Sequence, residues 1–171
     1  MKEIFQRDFF NYLNKKKIDD FIGVPDSTMK YFIDEGLKKN KIIVATREEE
    51  AIGIAAGIVL SGNPSLVFMQ NAGFAKSIST IASLVQLYEI PMIFLIGWRG
   101  FKKTDAPEHI KIGKIQPKLL STLGMKSKII HEKNWKSCCD WALKNIKDKK
   151  SIALIIRRMK DEYKKCNKNN S

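Results

Sequence analysis

A carboxylate at the start of a small-residue helix is the first feature of this sequence with the chemistry of a catalytic group. Glu48 follows the short apolar run 42–45, and the next two turns are almost all Ala, Gly and Ile. Residues three and four apart share a helix face. The residues on the face of Glu48 are therefore Ala51, Ile52 and Ala55. A carboxyl group at a dry surface is stabilised in its protonated form and suits proton transfer. The alternative is an acidic first turn that stabilises the helix dipole.

The rest of this segment is predicted to be exposed. Glu49 and Glu50 should face water, because they lie on other faces of the helix. Gly53 and Gly57, four residues apart, should leave a strip of bare backbone that another molecule can approach closely.

Two further turns carry polar groups and residues with special backbone preferences. In the first, Pro25 rigidifies the chain, and Asp26 or Ser27 either caps the next helix or faces a ligand. In the second, Asn71 and Gly73 either form a simple turn and helix start or orient a ligand. An amide side chain both donates and accepts hydrogen bonds, and glycine allows close backbone approach.

The stretch 98–113 is long for an irregular segment of a compact domain, and such loops are often functional. It begins with Trp98 and Arg99. The guanidinium of Arg99 suits a planar contact with a carboxylate, phosphonate or sulfonate, or else it forms a structural ion pair. His109 lies in the same stretch, either as a solvated loop residue or as a catalytic group.

These residues must be positioned by the elements around them. Short β-branched runs alternate with amphipathic stretches, which is typical of a parallel sheet covered on both faces. We predict an α/β, doubly wound, mostly parallel sheet of about six strands with helices on both faces. The predicted strands are 20–24, 42–45, 65–70, 92–97, 128–131 and 151–156. The predicted helices are 3–15, 27–39, 48–61, 74–88, 116–123 and 135–147.

The turns that carry Asp26, Glu48, Asn71 and Arg99 all follow predicted strands. Open parallel sheets bind ligands at the carboxyl ends of their strands. We therefore expect these four turns to meet at one edge of the sheet.

Length and charge narrow the class of protein. The 171 residues predict one domain over 1–160, followed by a polar basic tail over 161–171. No apolar run approaches the roughly 20 residues of a membrane-spanning helix, and residues 1–5 do not resemble a signal peptide. We therefore expect a cytoplasmic protein without a membrane partner. The net charge is +13, yet only five of the 31 basic residues are arginine. The lysines are scattered, which favours a solvated surface over nucleic-acid binding.

Several common motifs are absent from the sequence. It contains neither the Gly-x-Gly-x-x-Gly of dinucleotide sites nor the Gly-x-x-x-x-Gly-Lys-Ser/Thr of nucleoside triphosphate sites. No cluster of His and Cys predicts a metal site, and the three cysteines do not have metal-ligand spacing. If the sheet edge binds a phosphorylated cofactor, the phosphate-binding loop must come from another chain.

Together these segments resemble the pyrimidine-binding domain of thiamine diphosphate (ThDP)-dependent 2-oxoacid decarboxylases. The similarity is strongest to phosphonopyruvate decarboxylase and to the alpha subunit of sulfopyruvate decarboxylase. The matching segments are 23–27, 46–57, 69–73, 90–100 and 107–109. In that family the catalytic Glu lies nine residues before the Gly that closes the helix motif. Counting back from Gly57 gives Glu48.

The resemblance implies a cofactor, a reaction and a set of binding residues. The implied cofactor is ThDP, with Glu48 binding a ring nitrogen of its aminopyrimidine, and the implied reaction releases CO2 from 3-phosphonopyruvate or 3-sulfopyruvate. The product is phosphonoacetaldehyde or sulfoacetaldehyde. The residues implied to bind the cofactor are Glu48, Pro25, Asn71 and Gly73. The residues implied to bind the substrate are Asp26, Ser27, Arg99 and His109.

The resemblance also implies a partner. Single-chain relatives hold Mg2+ and the diphosphate with a Gly-Asp-Gly…Asn motif, which this sequence lacks. A diphosphate-binding beta subunit should supply it, in a hetero-oligomer or a homo-oligomeric assembly. The Glu-Glu-Glu at 48–50 resembles the sulfopyruvate branch, whereas 97–100 and 107–109 resemble the phosphonopyruvate branch.

Other functions remain open from the sequence. One is a non-catalytic doubly wound module that binds an anion or a partner protein along the same edge. Another is a ThDP-dependent lyase that acts on a different 2-oxoacid.

Overall fold

A computed structural model describes residues 3–102 and 105–157 of the chain. The strands are β1 (Asp20–Gly23), β2 (Ile42–Val44), β3 (Ser65–Gln70), β4 (Ile93–Trp98), β5 (Lys126–Ile130) and β6 (Ile152–Arg157). All are parallel, in the order β2-β1-β3-β4-β6-β5. The predicted six-stranded parallel sheet is confirmed. The tail 161–171 lies outside the described residues, as do 158–160.

The helices follow the strands in alternation. They are α1 (Glu3–Lys15), α2 (Lys30–Lys38), α3 (Glu48–Leu60), α4 (Asn71–Lys76), α5 (Ile78–Thr80), α6 (Pro107–Thr122) and α7 (Trp135–Lys147). A 3₁₀ turn (Ser27–Met29) precedes α2, and a π-helical segment (Ile81–Gln86) follows α5. Within the described ranges, none of these helices combines the length and the apolar character that crossing a membrane requires.

Two hydrophobic clusters cover the two faces of the sheet, which confirms the doubly wound arrangement. On one face, residues of α1, α2 and α7 bury an aromatic group whose ring centroids lie 4.5–5.6 Å apart: Phe9, Phe10, Phe21 and Phe32. On the other face, residues of α3, α4 and α6 pack against the strand residues that alternate with those of the first face. The buried members from α3 are Ala51, Ile52, Ala55 and Ala56. The three alanines are small, so α3 lies close to the sheet and its first turn lies at the strand ends.

The irregular stretch predicted over 98–113 is too long, because α6 begins at Pro107 rather than at residue 116. Proline is favoured in the first turn of a helix, and here it begins α6. Pro117 lies inside α6 and is exposed. It has no N–H to donate to the Gly113 carbonyl one turn earlier. The Trp98 indole Nε1 donates to that carbonyl at 2.8 Å and so replaces the missing hydrogen bond.

The helix predicted over 74–88 also differs from the structure. Gln70 is the extended residue before α4, so Asn71 and Gly73 are helical rather than part of a turn. The helix is interrupted at Ser77, whose hydroxyl donates to the Gly73 carbonyl at 2.9 Å. When the 3₁₀ turn is counted with α2, the remaining strand and helix ends agree with the prediction to within two residues, which is the usual uncertainty at element ends.

Candidate active site

The four predicted turns do meet at one edge of the sheet. Strand pairing places Gly23 beside both Val44 and Phe68, and Gln70 beside Gly97. The chain leaving each of these parallel strands therefore emerges on the same side. The order β2-β1-β3-β4 places the four turns next to one another along this edge.

Glu48 is the first residue of α3, and its side chain is only 14% exposed. Its carboxylate lies over Gly73 of α4, and its Oε2 is 3.7 Å from the Lys76 Nζ. The apolar residues predicted on its face are fully buried beneath it, namely Ala51, Ile52 and Ala55. The arrangement leaves a carboxylate, rather than a hydrophobic side chain, at the rim of a dry surface.

The three consecutive glutamates have different roles. Glu50 Oε2 accepts hydrogen bonds from the backbone N–H of Thr46 at 2.8 Å and of Arg47 at 3.3 Å. It forms the capping box of α3. Glu48 takes no part in these capping hydrogen bonds, and stabilisation of the helix dipole stays the alternative for it. Glu50 is exposed, as predicted, and Glu49 is half-buried.

The absence of a side chain at Gly73 leaves space for the Glu48 carboxylate. A methyl group at this position would overlap the Glu48 carboxylate, including its Oε1. Gly73 therefore permits the observed position of Glu48. Its predicted role in contacting the cofactor directly stays a prediction.

Asp26 caps the 3₁₀ turn that follows β1. Its Oδ1 accepts hydrogen bonds from the Thr28 backbone N–H at 2.9 Å and from the Thr28 hydroxyl, and its Oδ2 accepts from Gln70 Nε2 at 2.8 Å. Asp26 is 7% exposed, so the capping alternative describes it, and a substrate contact stays a prediction. Pro25 and Ser27 are exposed on the same turn and are the residues of this segment that face solvent.

Asn71 joins the ends of β3 and β4. Its side-chain amide donates to the Arg99 carbonyl at 3.0 Å and accepts from the Arg99 N–H at 3.2 Å. The residue is fully buried. The amide thus donates and accepts within the chain, and a contact between Asn71 and a cofactor stays a prediction.

The Arg99 guanidinium is held by Asp105. The Arg99 Nη2 donates to Asp105 Oδ1 at 2.8 Å, and Nε donates to Oδ2 at 3.0 Å. Asp105 also accepts from the backbone N–H groups of Gly100 and Ala106, at 2.8 and 2.9 Å. The side chains of the pair are 10% and 8% exposed. The structural ion pair therefore describes Arg99, and a substrate-clamping role is a prediction that this geometry does not favour.

The Asp105→Asn substitution should destabilise the fold in a pH-dependent way. The Arg99 hydrogen bond and the two backbone donors hold the pKa of Asp105 well below its ordinary value. Because the folded pKa is lower than the unfolded one, the carboxylate stabilises the fold at neutral pH, and this stabilisation is lost as the pH falls below about 5. We expect a loss of roughly 3 kcal/mol at neutral pH, typical of breaking a buried pair.

Thermal unfolding at a series of pH values tests this expectation. The Tm of the unsubstituted chain should fall more steeply toward about pH 3 than the Tm of the Asp105→Asn variant, because only the former loses the pair on protonation. Asp8→Asn changes an exposed carboxyl group on α1 and should follow the unsubstituted curve. Parallel curves for Asp105→Asn and the unsubstituted chain would contradict the assignment.

His109 lies in the first turn of α6 and not in a loop as predicted. Its side chain is 17% exposed, and Nε2 is 3.9 Å from Glu108 Oε1. Its backbone carbonyl faces Gly100, where φ is +73° and a side chain would collide with it. A substrate contact by His109 stays a prediction.

Sequence reasoning missed two residues of this site. Lys76 lies beside Glu48, and a signal for it existed, since Lys76 is three residues after Gly73 and shares its helix face. Gln70 donates a hydrogen bond to Asp26 and so positions its carboxylate. The two residues are 44 positions apart in the sequence, and no local sequence pattern indicates this contact.

The site suits the pyrimidine end of ThDP better than its diphosphate end. Glu48 offers a partly exposed carboxylate that can accept a hydrogen bond from a protonated ring nitrogen, and the Gly73 backbone leaves room beside it. Over residues 3–102 and 105–157, no group of three or more His, Cys, Asp or Glu is placed to hold a metal ion.

Comparison with known proteins gives the family. The family model described as "Thiamine pyrophosphate enzyme, N-terminal TPP binding domain" matches residues 5–122; thiamine pyrophosphate (TPP) is another name for ThDP. The sulfopyruvate decarboxylase subunit alpha of Methanocaldococcus jannaschii is 39% identical over 114 residues, covering 65% of this chain and 67% of that one. The same subunit of Methanococcus maripaludis is 37% identical over 110 residues, covering 62% and 65%.

More distant matches agree with this result. The sulfopyruvate decarboxylase of Methanosarcina acetivorans is 34% identical over 90 residues, which cover 53% of this chain and 23% of that one. Among solved structures, a 2-oxoglutarate:ferredoxin oxidoreductase from Magnetococcus marinus matches with a TM-score of 0.68 at 14% identity. It covers 89% of this chain and 28% of that one, and at this identity it shows the fold alone.

The similarity to these relatives confirms the predicted enzyme class, a ThDP-dependent decarboxylase. The relatives carry the sulfopyruvate name, and the phosphonopyruvate part of the prediction stays a prediction. The chain belongs to the family of thiamine pyrophosphate enzymes and carries their N-terminal TPP-binding domain.

Proposed function

We propose that this chain is the pyrimidine-binding alpha subunit of a ThDP-dependent decarboxylase that converts 3-sulfopyruvate to sulfoacetaldehyde and CO2. The choice of sulfopyruvate over phosphonopyruvate rests on the names of the relatives and on the Glu-Glu-Glu sequence at 48–50. The proposal includes a diphosphate-binding partner subunit.

The observation that supports the proposal most strongly is the position of Glu48. Its carboxylate lies at the carboxyl edge of the sheet, is mostly shielded from solvent, and is not used to cap its own helix. A carboxylate placed in this way without a capping role suggests a ligand contact.

When bound, ThDP supplies the electron sink that accepts the electron pair of the bond to CO2. The contribution of this chain is binding and proton placement. Glu48 would accept the hydrogen bond of a protonated aminopyrimidine nitrogen and hold the proton there. Ala51, Ile52 and Ala55 would exclude water below the carboxylate, and Gly73 would leave the ring room to approach. Lys76, whose side chain is 65% exposed, is able to move away as the ring binds.

The diphosphate and its Mg2+ are assigned to the partner subunit. Over the described residues no group of three or more His, Cys, Asp or Glu is placed to hold a metal ion, and the sequence lacks the Gly-Asp-Gly…Asn motif. Association of the two subunits would therefore complete the cofactor site. Gly53 and Gly57 are exposed on α3 with open space around them, and the predicted approach of another molecule to that strip belongs to this proposal.

The residues predicted to bind the substrate differ in how accessible they are to a ligand. Ser27 and Pro25 face solvent at the sheet edge and are available to a ligand. Asp26 and Arg99 are used by internal contacts, and His109 is mostly covered. We therefore expect the partner subunit to supply cationic groups for the sulfonate.

Titration and assay of the reconstituted pair test the proposal. The chain is mixed with a candidate partner subunit that carries the Gly-Asp-Gly…Asn motif. We expect weak ThDP binding by the chain alone, tight binding by the pair with Mg2+, and CO2 release from 3-sulfopyruvate in preference to 3-phosphonopyruvate. A preference for 3-phosphonopyruvate would mean that the chain belongs to a phosphonopyruvate decarboxylase instead. Tight ThDP binding without turnover of any 2-oxoacid would favour the non-catalytic module.

A further inference from the structure

A second cavity lies on the α6 face of the sheet, away from Glu48. It has a volume of about 450 Å3, within the range of small-molecule sites. Strands β4, β5 and β6 form one side of it, and α6 forms the other. Its polar lining includes Gln116 and Arg157, and its apolar lining includes Leu120, Met125 and Ile155. The residues of the Glu48 site do not line it.

Gln116 is the first unexplained residue of this cavity. It is fully buried, yet neither its Nε2 nor its Oε1 has a hydrogen-bond partner among the described residues. A buried polar group without a partner costs roughly 1–3 kcal/mol and is rare in folded proteins. A leucine would fill similar space on α6 without this cost. The amide therefore indicates a group that enters the cavity.

Arg157 is the second unexplained residue of this cavity. Its guanidinium carbon lies 4.6 Å from the ring centroid of Trp98 and 5.0 Å from that of Phe101. Its Nε is buried and lacks a hydrogen-bond partner in the part of the chain that the structure describes. Burial also lowers the pKa of Arg157. An anion beside the guanidinium would offset this loss of hydration.

The aromatic contacts place the Arg157 guanidinium beside Trp98 and Phe101. The Trp98 indole is held by its hydrogen bond to the Gly113 carbonyl, so its ring is fixed relative to α6. A guanidinium beside aromatic rings keeps its N–H donors for other partners, and these donors lie in one plane at its edge. A carboxylate, which is planar with two oxygens, matches this geometry.

We propose that this cavity binds a small organic carboxylate at a site separate from that of Glu48. The carboxylate pairs with the edge of Arg157 and accepts from the Gln116 amide, and an aliphatic body lies along Leu120, Met125 and Ile155. Inorganic phosphate and sulfate are hydrophilic on all sides and fit the apolar wall poorly.

Calorimetric titration of the full chain with hexanoate tests the proposal. We expect saturable binding of hexanoate, and no measurable binding of hexanamide, which lacks the charge, or of inorganic phosphate. The Glu48→Gln variant should bind hexanoate as the unsubstituted chain does, because the two sites are separate. Absence of saturable hexanoate binding, or binding of phosphate with equal affinity, would overturn the proposal.

Two substitutions and a control assign the binding to this cavity. Arg157→Lys keeps the charge but loses the planar donor geometry, and Gln116→Leu removes the amide, so each should weaken hexanoate binding about tenfold or more. Gln116→Leu should at the same time leave the Tm unchanged or raise it, which separates lost binding from misfolding. Lys118→Met, an exposed change on the same helix, should bind normally. A Gln116→Leu variant with higher Tm and unchanged affinity would show that the Gln116 amide does not contact hexanoate and would refute the site.

The chain's own carboxylates are the competing occupants. Asp161 and Glu162 follow Arg157 closely in sequence. If hexanoate binds only after both are changed to Asn and Gln, the cavity serves an internal ion pair, and the proposal of a ligand site is wrong. Equal affinity with and without these substitutions supports it.

Discussion

We expect the Glu48→Gln variant to lose decarboxylation by about 10²–10⁴-fold in the reconstituted enzyme, the range for removal of a positioned acid or base. Glutamine has nearly the same shape but cannot take up the proton that the aminopyrimidine nitrogen exchanges. ThDP binding should persist, because much of its affinity would come from the diphosphate in the partner subunit. CO2 release under saturating ThDP and calorimetric titration of the cofactor measure the two effects separately.

Glu49→Gln is the matched control for this variant. It makes the same chemical change one residue later, on another face of α3, and should retain full turnover. Glu50→Gln is less suitable, because Glu50 caps the helix and its loss should lower stability. Near-normal turnover of Glu48→Gln, or equal losses in Glu48→Gln and Glu49→Gln, would contradict the assigned role.

The second large effect is expected from Gly73→Ala, which adds one methyl group where the Glu48 carboxylate lies. We expect turnover to fall about 10²-fold or more, since small displacements of a catalytic group have effects of this size. Helix propensity does not explain such a loss, because alanine is favoured over glycine in the helical position that Gly73 occupies in α4. Turnover and Tm of the reconstituted variant are the measurements.

A double-mutant cycle separates this effect from a general disturbance. If Gly73→Ala acts by displacing Glu48, it should cause little further loss in the Glu48→Gln background. Additive losses would mean that Gly73 acts independently, for example through its predicted contact with the cofactor. Gly57→Ala changes a glycine with open space around it and should raise the Tm of the chain.

The outline of the fold was predictable because it depends on local patterns. The apolar runs of the central strands are typical of parallel strands buried on both faces, and β3 and β4 are buried along nearly their whole length. The position of Glu48 was predictable for the same reason. Helical spacing placed it above Ala51 and Ala55, and the structure buries both of them.

Other features depend on contacts between segments that are distant in sequence. The Asn71 amide forms hydrogen bonds with the backbone of Arg99, 28 residues later, and this contact was not predicted. The predicted contact between Asn71 and a ligand stays a prediction. Arg99 was given two alternative roles, and the structure shows the ion pair with Asp105, while the contact with a substrate stays a prediction. Hydrophobic periodicity does not indicate either contact, because Arg99 and Asp105 both lie outside the helices and strands.

The cavity beside Gln116 illustrates the same limit. In the sequence, Gln116 is a polar residue at the start of the predicted helix 116–123. The structure shows that α6 continues through Pro117, so Gln116 lies in the middle of a longer helix. Only when α6 is seen as one helix does Gln116 lie on its buried face, three residues after Gly113 and four before Leu120.

The hydrogen bond from the Trp98 indole to the Gly113 carbonyl has a consequence for how this domain can diverge. Proline at 117 leaves that carbonyl without its usual backbone donor, and the indole supplies the donor from a strand 15 residues away. Losing the indole while keeping the proline would leave a buried acceptor unpaired, whereas losing the proline restores the ordinary donor and releases the indole. The two positions are therefore expected to covary among descendants of this chain, with the proline disappearing before or together with the tryptophan.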